Sequence, residues 1–174
     1  KTSTKIKQLL IFLLFSISFQ KFNAEPIIEK TINEFQAINL YPERLDSHVH
    51  THAIPNIFKI TKKLAQEYKI PYIRLQNERI YKSQGRHPKP INLIKILLLK
   101  FFTYFNKKEL LNTNINFNNF IVGVGFTGEM TKNTIEDGIN SAPYGTVEVL
   151  IHAEKNSNNN RENEYLEAKA IKLN

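Results

Sequence analysis

The stretch LDSHVHTH, residues 45–52, contains three of the five histidines of this 174-residue chain. The surrounding pattern predicts a short strand over residues 43–49, and alternate residues of an extended strand face the same side. His48, His50 and His52 are therefore expected to project together from the carboxyl end of a strand. In parallel α/β proteins, ligands and metals bind at this end of the strands.

Two interpretations of the histidine cluster fit the sequence. Neutral imidazole is a common ligand of divalent metals, and Asp46 or Ser47 would be placed to orient one of the rings. The alternative is a solvent-facing, histidine-rich loop without a function. Because the cluster follows a predicted strand and precedes a predicted helix, the pattern favours a metal or catalytic role.

Predicted strands alternate with predicted helices along the rest of the chain, a pattern typical of a parallel α/β fold. Pro26 and Pro55 begin amphipathic helices, and residues 91–105 are apolar over a length that suits a buried helix. Thr131 is expected to cap a further helix. The four strand-like segments are residues 43–49, 71–75, 120–126 and 146–152. Four parallel strands cannot close a barrel of about eight, and no internal repeat or second domain is visible.

Arg74 and His152 each stand at the end of a predicted strand. A charged residue such as Arg74 at this position would order a carboxylate or bind a polar substrate, with a surface ion pair as the alternative. His152 is expected on the same sheet edge as His48. Since imidazole titrates near neutral pH, His152 is a candidate general acid or base, with a structural histidine as the alternative.

Three glycines, Gly123, Gly125 and Gly128, have the spacing of a dinucleotide-binding loop. The first glycine lies inside the predicted strand rather than after it, and Asp137 is too close for a ribose contact. The spacing therefore favours a tight transition from strand to loop, and no nucleotide cofactor is expected.

Composition and charge exclude several classes of site and partner. The chain has no cysteine, which excludes disulfides, thiolate metal sites and cysteine nucleophiles. The formal net charge is +8, but the lysines are scattered singly over predicted helices. This distribution is typical of a solvated surface, so nucleic acid is not expected as a partner.

An apolar run, residues 9–19, follows a basic start with Lys1, Lys5 and Lys7. It has the features of a signal peptide, and it is too short to cross a membrane as a helix. A buried helix is the alternative. Residues 1–24 therefore indicate either an exported protein or an additional apolar helix.

Several segments together resemble the YdjC/ChbG/HpnK-like family of carbohydrate deacetylases. The histidine block at residues 45–52 is the specific part. The segments that follow in the same order are residues 54–78 (IPNIFKITKKLAQEYKIPYIRLQNE), 91–102 (INLIKILLLKFF), 123–131 (GVGFTGEMT) and 144–152 (YGTVEVLIH). The resemblance covers nearly the whole chain from residue 25 onward, and it favours the buried helix and a cytoplasmic location over export.

The resemblance implies a distorted (β/α) barrel similar to that of NodB-type deacetylases, with an acetylated carbohydrate as substrate. It also implies one divalent metal, magnesium or zinc, held by an aspartate and two histidines, which activates water and polarises the N-acetyl carbonyl. His48 resembles a metal ligand and His152 resembles the catalytic acid. Arg74 resembles a residue that orders the site.

Asp46, His50 and His52 resemble further residues of that site, which contact the substrate or orient the metal ligands. The family pattern also has an Asp-Asp-Phe-Gly strand end and a second metal-binding histidine, and nothing before residue 25 resembles either. After the last histidine the family usually has Pro-Gly, whereas Ala153-Glu154 stand here.

These departures predict one truncated domain, residues 1–174, with its family-like core at residues 25–174. The fold is expected to be a partial, open barrel without its N-terminal strands. The activity is expected to be that of an incomplete or inactive deacetylase, with a non-catalytic remnant that binds a sugar or a partner chain as the alternative. A complementary N-terminal fragment or a second copy of the chain is the expected protein partner.

Overall fold

A computed structural model of the chain describes residues 24–151. The apolar run at residues 9–19 and His152 lie outside the described residues. The helices and strands are α1 (Glu25–Ala37), α2 (Pro55–Glu67), α3 (Pro90–Leu110), β1 (Phe120–Val122), α4 (Lys132–Ser141) and β2 (Val147–Val149). The predicted α/β class is confirmed. The chain divides into two compact units, and α3 contributes residues to both.

Of the described residues, the first unit contains 24–76 together with Phe101–Phe117. Helix α2 buries residues at helical spacing, and Phe58 and Leu64 lie at the centre of the core. The other buried core members are Ile32, Ala65, Ile70, Ile73, Leu75, Leu110 and Ile115. Short parallel bridges join Leu45 to Ile73 and Tyr72 to Asn116, so the backbone of this unit is extended only over short stretches.

Of the described residues, the second unit contains Asn77–Lys100 and 118–151. Strands β1 and β2 pair in parallel, with Phe120 opposite Val147, and Glu78 makes a further parallel bridge to Ile121. The buried core consists of Tyr81, Val122, Phe126, Met130 and Ile135. The predicted cap of α4 is confirmed, because the Thr131 hydroxyl accepts a hydrogen bond from the Thr134 N–H at 3.3 Å.

The strands are shorter than predicted, and α3 is longer. Of the strand predicted at residues 43–49, only Leu45 forms a β-bridge, because the backbone leaves the extended conformation after Ser47. Helix α3 continues past residue 105 as far as Leu110, which belongs to the core of the first unit. None of the helices described within residues 24–151 is long and apolar enough to cross a membrane.

Candidate functional site

The histidine cluster forms a tight turn in the first unit rather than the end of a strand. A 3-10 segment, His48–Ala53, begins after Ser47, and Val49 and His50 have φ values of 52° and 62°. A left-handed conformation at a residue other than glycine is uncommon, and for a β-branched residue it is strained. The predicted side-by-side projection of the three histidines from an extended strand is therefore wrong. Strain of this kind concentrates at functional sites.

The buried side chain of His52 stabilises this turn through hydrogen bonds. Its side chain is buried, with Nδ1 2.8 Å from the Ser47 Oγ and Nε2 3.0 Å from the Arg74 carbonyl oxygen. Since a carbonyl only accepts, Nε2 carries the hydrogen, and Nδ1 accepts from the Ser47 hydroxyl. The Ser47 Oγ in turn accepts the His52 backbone N–H at 2.8 Å. Both ring nitrogens of His52 are thus engaged within the protein, which suits a residue that orients the turn.

Arg74 connects the turn to the neighbouring extended segment. Its Nη2 lies 2.6 Å from the Asp46 Oδ2, and both side chains are partly shielded from solvent. A charge-assisted bond of this length fixes the carboxylate more firmly than an exposed lysine pair would. The Arg74 carbonyl also accepts a hydrogen bond from His52. Arg74 therefore contacts both Asp46, which precedes the turn, and His52, which lies within it.

Asn106 of α3 anchors the end of the same turn, and sequence analysis missed it. Its Nδ2 donates to the Ala53 carbonyl at 2.7 Å, and the side chain is buried. A buried amide opposite a turn carbonyl satisfies a backbone group that helix α2 does not use. The helix was predicted to stop at residue 105, so no sequence pattern directed attention to Asn106.

In the second unit, Glu78 is a buried carboxylate that sequence analysis also missed. It accepts the backbone N–H groups of Gly123, Val124 and Gly125 at 2.9, 2.8 and 3.0 Å. Burial raises the pKa of Glu78 to about 7, against the opposing effect of these N–H groups. The first of the N–H groups belongs to a residue that must be glycine, since a Cβ at Gly123 would lie 2.5 Å from the Leu150 carbonyl oxygen.

This arrangement accounts for Gly123, the first glycine of the spacing noted in the sequence. The successive N–H groups of residues 123–125 form a concave donor site of the kind that binds anions. Here the anion is the Glu78 carboxylate of the same chain. The loop therefore serves an internal contact, as expected for a tight transition from strand to loop.

A protein-family model described as YdjC-like protein matches residues 20–171. The chain belongs to the YdjC-like family. The resemblance inferred from the histidine block is thereby confirmed, and the match includes the turn, Arg74, Glu78 and His152. A search of curated proteins and a search of solved structures found no match.

The fit of a metal to this YdjC-like chain depends on its histidine and carboxylate side chains. Among the side chains that the structure describes, which do not include that of His48, no three histidine, aspartate or glutamate groups converge in a way that would hold a metal ion. Asp46 is bonded to Arg74, and both ring nitrogens of His52 have partners inside the protein. These residues therefore do not complete a metal centre, and His48 stays a predicted ligand.

The predicted catalytic acid of the family, His152, lies just beyond the described residues. Its location on the same sheet edge as His48 stays a prediction. Strand β2 ends at Val149, three residues before His152, so the histidine does not follow the strand as directly as the sequence suggested.

Proposed function

We propose that this chain contributes to a metal-dependent hydrolase that removes N-acetyl groups from an amino sugar or oligosaccharide. Membership of the YdjC-like family supports the reaction class. The observation that carries the proposal is the strained histidine turn, which Ser47, His52, Arg74 and Asn106 hold in one conformation. A catalytic group needs such fixed support, because a displacement of about 1 Å is enough to impair the reaction.

The proposed roles of the side chains follow the resemblance to the YdjC-like family. His48 is proposed as the one metal ligand of this part of the site, and a bound divalent metal would polarise the N-acetyl carbonyl. Arg74 keeps the Asp46 carboxylate in place at 2.6 Å, where it orients neighbouring groups. His50 is proposed to face the substrate, and His152 to donate a proton to the leaving amine.

The proposal includes a second segment, with the Asp-Asp-Phe-Gly sequence of the family, that supplies the aspartate ligand, the base and the other histidine. The sequence of this chain contains no Asp-Asp-Phe-Gly segment. The strands of that segment would also extend the parallel pairing toward the NodB-like barrel. No catalytic step is assigned to the residues of this chain alone.

A specific observation favours a second candidate function, a non-catalytic chain that binds a sugar or a partner chain. Within the described residues, Asp46 and His52 already have partners inside the protein, and no three-ligand group is present. If Asp46 and His52 keep these partners when the chain binds a carbohydrate, the carbohydrate would be bound without being hydrolysed.

Calorimetric titration of the full chain with Zn²⁺ tests the proposal. The parent chain is expected to bind zinc weakly, and His48→Ala should lower the affinity by about tenfold or more, since a ligand is lost. His87→Ala is the matched control, because His87 is exposed and lies outside the histidine cluster. Equal affinities for the parent chain and the His48→Ala variant would remove the metal from the proposal and favour the non-catalytic alternative.

A further inference from the structure

Helix α3 has two apolar faces, of which only one is covered. Ile96, Leu99 and Phe102 are buried on the inner face. The opposite side, which we call the outer face, consists of Ile94, Leu97, Phe101, Tyr104 and Phe105, each between 43% and 59% exposed. Their spacing of three or four residues places them in one stripe. A helix that is apolar on both sides normally has a partner on each side.

The outer face is a continuous surface rather than a set of isolated residues. The rings of Phe101 and Phe105 meet edge to face with centroids 5.1 Å apart, and Tyr104 and Phe105 meet at 5.3 Å. Single exposed apolar residues are normal on proteins, whereas a contiguous patch marks an interaction site. The stripe extends over the turns from Ile94 to Phe105, about 16 Å of helix at 1.5 Å per residue.

Three exposed lysines of α3 lie near the outer face. Lys100 and Lys107 are exposed on α3, and Lys108 lies over the Tyr104 ring, with its Nζ 4.1 Å from the ring centroid. The single carboxylate in the sequence of α3 belongs to Glu109. It is bonded to Lys62 at 2.5 Å, so it does not offset the exposed lysines.

This charge pattern decides between possible occupants. A second copy that docked face to face would bring lysines against lysines, which is unfavourable. The apolar run at residues 9–19 lies between Lys7 and Lys21, so it offers no complementary charge either. An anionic lipid surface complements both features, because aromatic and aliphatic side chains enter the acyl boundary while lysines reach the headgroups.

We propose that the outer face of α3 binds an anionic membrane surface. None of the described helices is long and apolar enough to cross a bilayer, so α3 lies along the interface rather than through it. The lysines supply attraction to acidic headgroups, and the apolar stripe supplies the insertion that makes binding persist. This inference is independent of the proposed deacetylase function.

Co-sedimentation of the full chain with lipid vesicles tests the inference. The chain should bind vesicles that contain about a third phosphatidylserine much more tightly than vesicles of pure phosphatidylcholine, and salt should weaken this binding. The double substitution Leu97→Gln/Phe101→Gln should weaken binding by about tenfold or more. Ile38→Gln/Leu40→Gln, which alters exposed apolar residues after α1, is the matched control and should leave binding unchanged.

A second variant keeps the test decisive if the first one unfolds. Lys100→Gln/Lys107→Gln retains the apolar stripe and should weaken binding to phosphatidylserine vesicles severalfold, with no effect on the melting temperature. Binding that does not depend on phosphatidylserine, or that neither α3 variant weakens, would overturn the inference. So would sedimentation velocity showing a dimer that Leu97→Gln/Phe101→Gln dissociates without a change in lipid binding.

Discussion

At the scale of single residues, His52 stabilises the histidine turn through its hydrogen bonds. His52→Ala would leave the Ser47 hydroxyl and the Arg74 carbonyl without the partners that they have at 2.8 and 3.0 Å. We expect a loss of about 2–4 kcal/mol in the free energy of unfolding, since buried polar groups would be orphaned next to a small cavity. Denaturant titration measures this loss.

The exposed residue His87 is the control for this substitution. His87→Ala should change the free energy of unfolding by less than about 0.5 kcal/mol, as surface substitutions usually do. If His52→Ala were as stable as His87→Ala, His52 would not hold the turn, and its ring nitrogens would be available for another role.

Glu78 makes the stability of the protein depend on pH in a specific direction. Burial raises the pKa of Glu78 from 4.5 to about 7 in the folded protein. The folded state therefore holds this proton more tightly than the unfolded chain, so stability is lost as the pH rises from about 5 to about 8. The shift corresponds to roughly 3 kcal/mol over the whole window.

Glu78→Gln removes this titration, but its amide nitrogen cannot accept the backbone N–H groups that a carboxylate oxygen accepts, so the pH dependence of the two proteins is compared rather than their absolute stability. The unfolding free energy of the parent chain should fall relative to that of the variant as the pH rises, and it should level off above about pH 8. Urea titrations of both proteins at several pH values measure the difference. Parallel pH profiles would mean that the folded protein does not hold the proton of Glu78 in this way.

At the scale of secondary-structure elements, Gly138 sets how closely α4 approaches its neighbours in the second unit. A Cβ at this position would lie 2.4 Å from the Val122 Cγ1 and 2.9 Å from the Tyr81 Cζ. Alanine in place of glycine inside a helix ordinarily stabilises by about 1 kcal/mol. Here we expect Gly138→Ala to destabilise by about 1–3 kcal/mol instead, because the core is overpacked.

Thermal or urea unfolding checks the sign of this effect. Asn140→Ala is the control on the same helix, because Asn140 is exposed and its replacement tests helix propensity without a clash. A Gly138→Ala variant more stable than the parent chain would contradict the tight packing of α4.

The helices were predictable from sequence because their signals are local. Pro26 and Pro55 stand in the first turns of α1 and α2, and Thr131 caps α4. The end of α3 was not predictable in this way, because tertiary packing of Leu110 extends the helix beyond its apolar run. Asn106 was missed for the same reason, although it anchors the histidine turn.

The histidine turn and Glu78 depend on contacts between residues far apart in sequence. Strand periodicity predicted an extended His48–His52 segment, but the hydrogen bonds of the His52 ring with the Ser47 hydroxyl and the Arg74 carbonyl stabilise a turn with left-handed residues instead. Glu78 stands 45 positions before the first N–H group that it accepts. No local pattern reveals such a pairing.

At the scale of the whole molecule, the sequence predicted the fold class and the family more accurately than it predicted the local geometry. Alternating helices and strand-like runs predicted an α/β protein, which the parallel pairing of β1 and β2 confirms. The histidine block predicted the YdjC-like family, which the match over residues 20–171 confirms. Fold class and family depend on the periodicity and order of segments along the chain, whereas a barrel type is defined by which strands pair.

The central claim is that this chain supplies one part of a metal-dependent deacetylase site. Acetate release from an N-acetylated chitooligosaccharide, in the presence of a divalent metal, tests it most directly. The full chain alone should release no acetate above background, because its sequence contains no Asp-Asp-Phe-Gly segment to supply the aspartate ligand and the base that the proposal requires. Addition of a homologous N-terminal segment with the Asp-Asp-Phe-Gly sequence should produce activity that His48→Ala abolishes and His87→Ala retains. Chelator-sensitive acetate release by the chain alone, or none with the added segment, would contradict the claim.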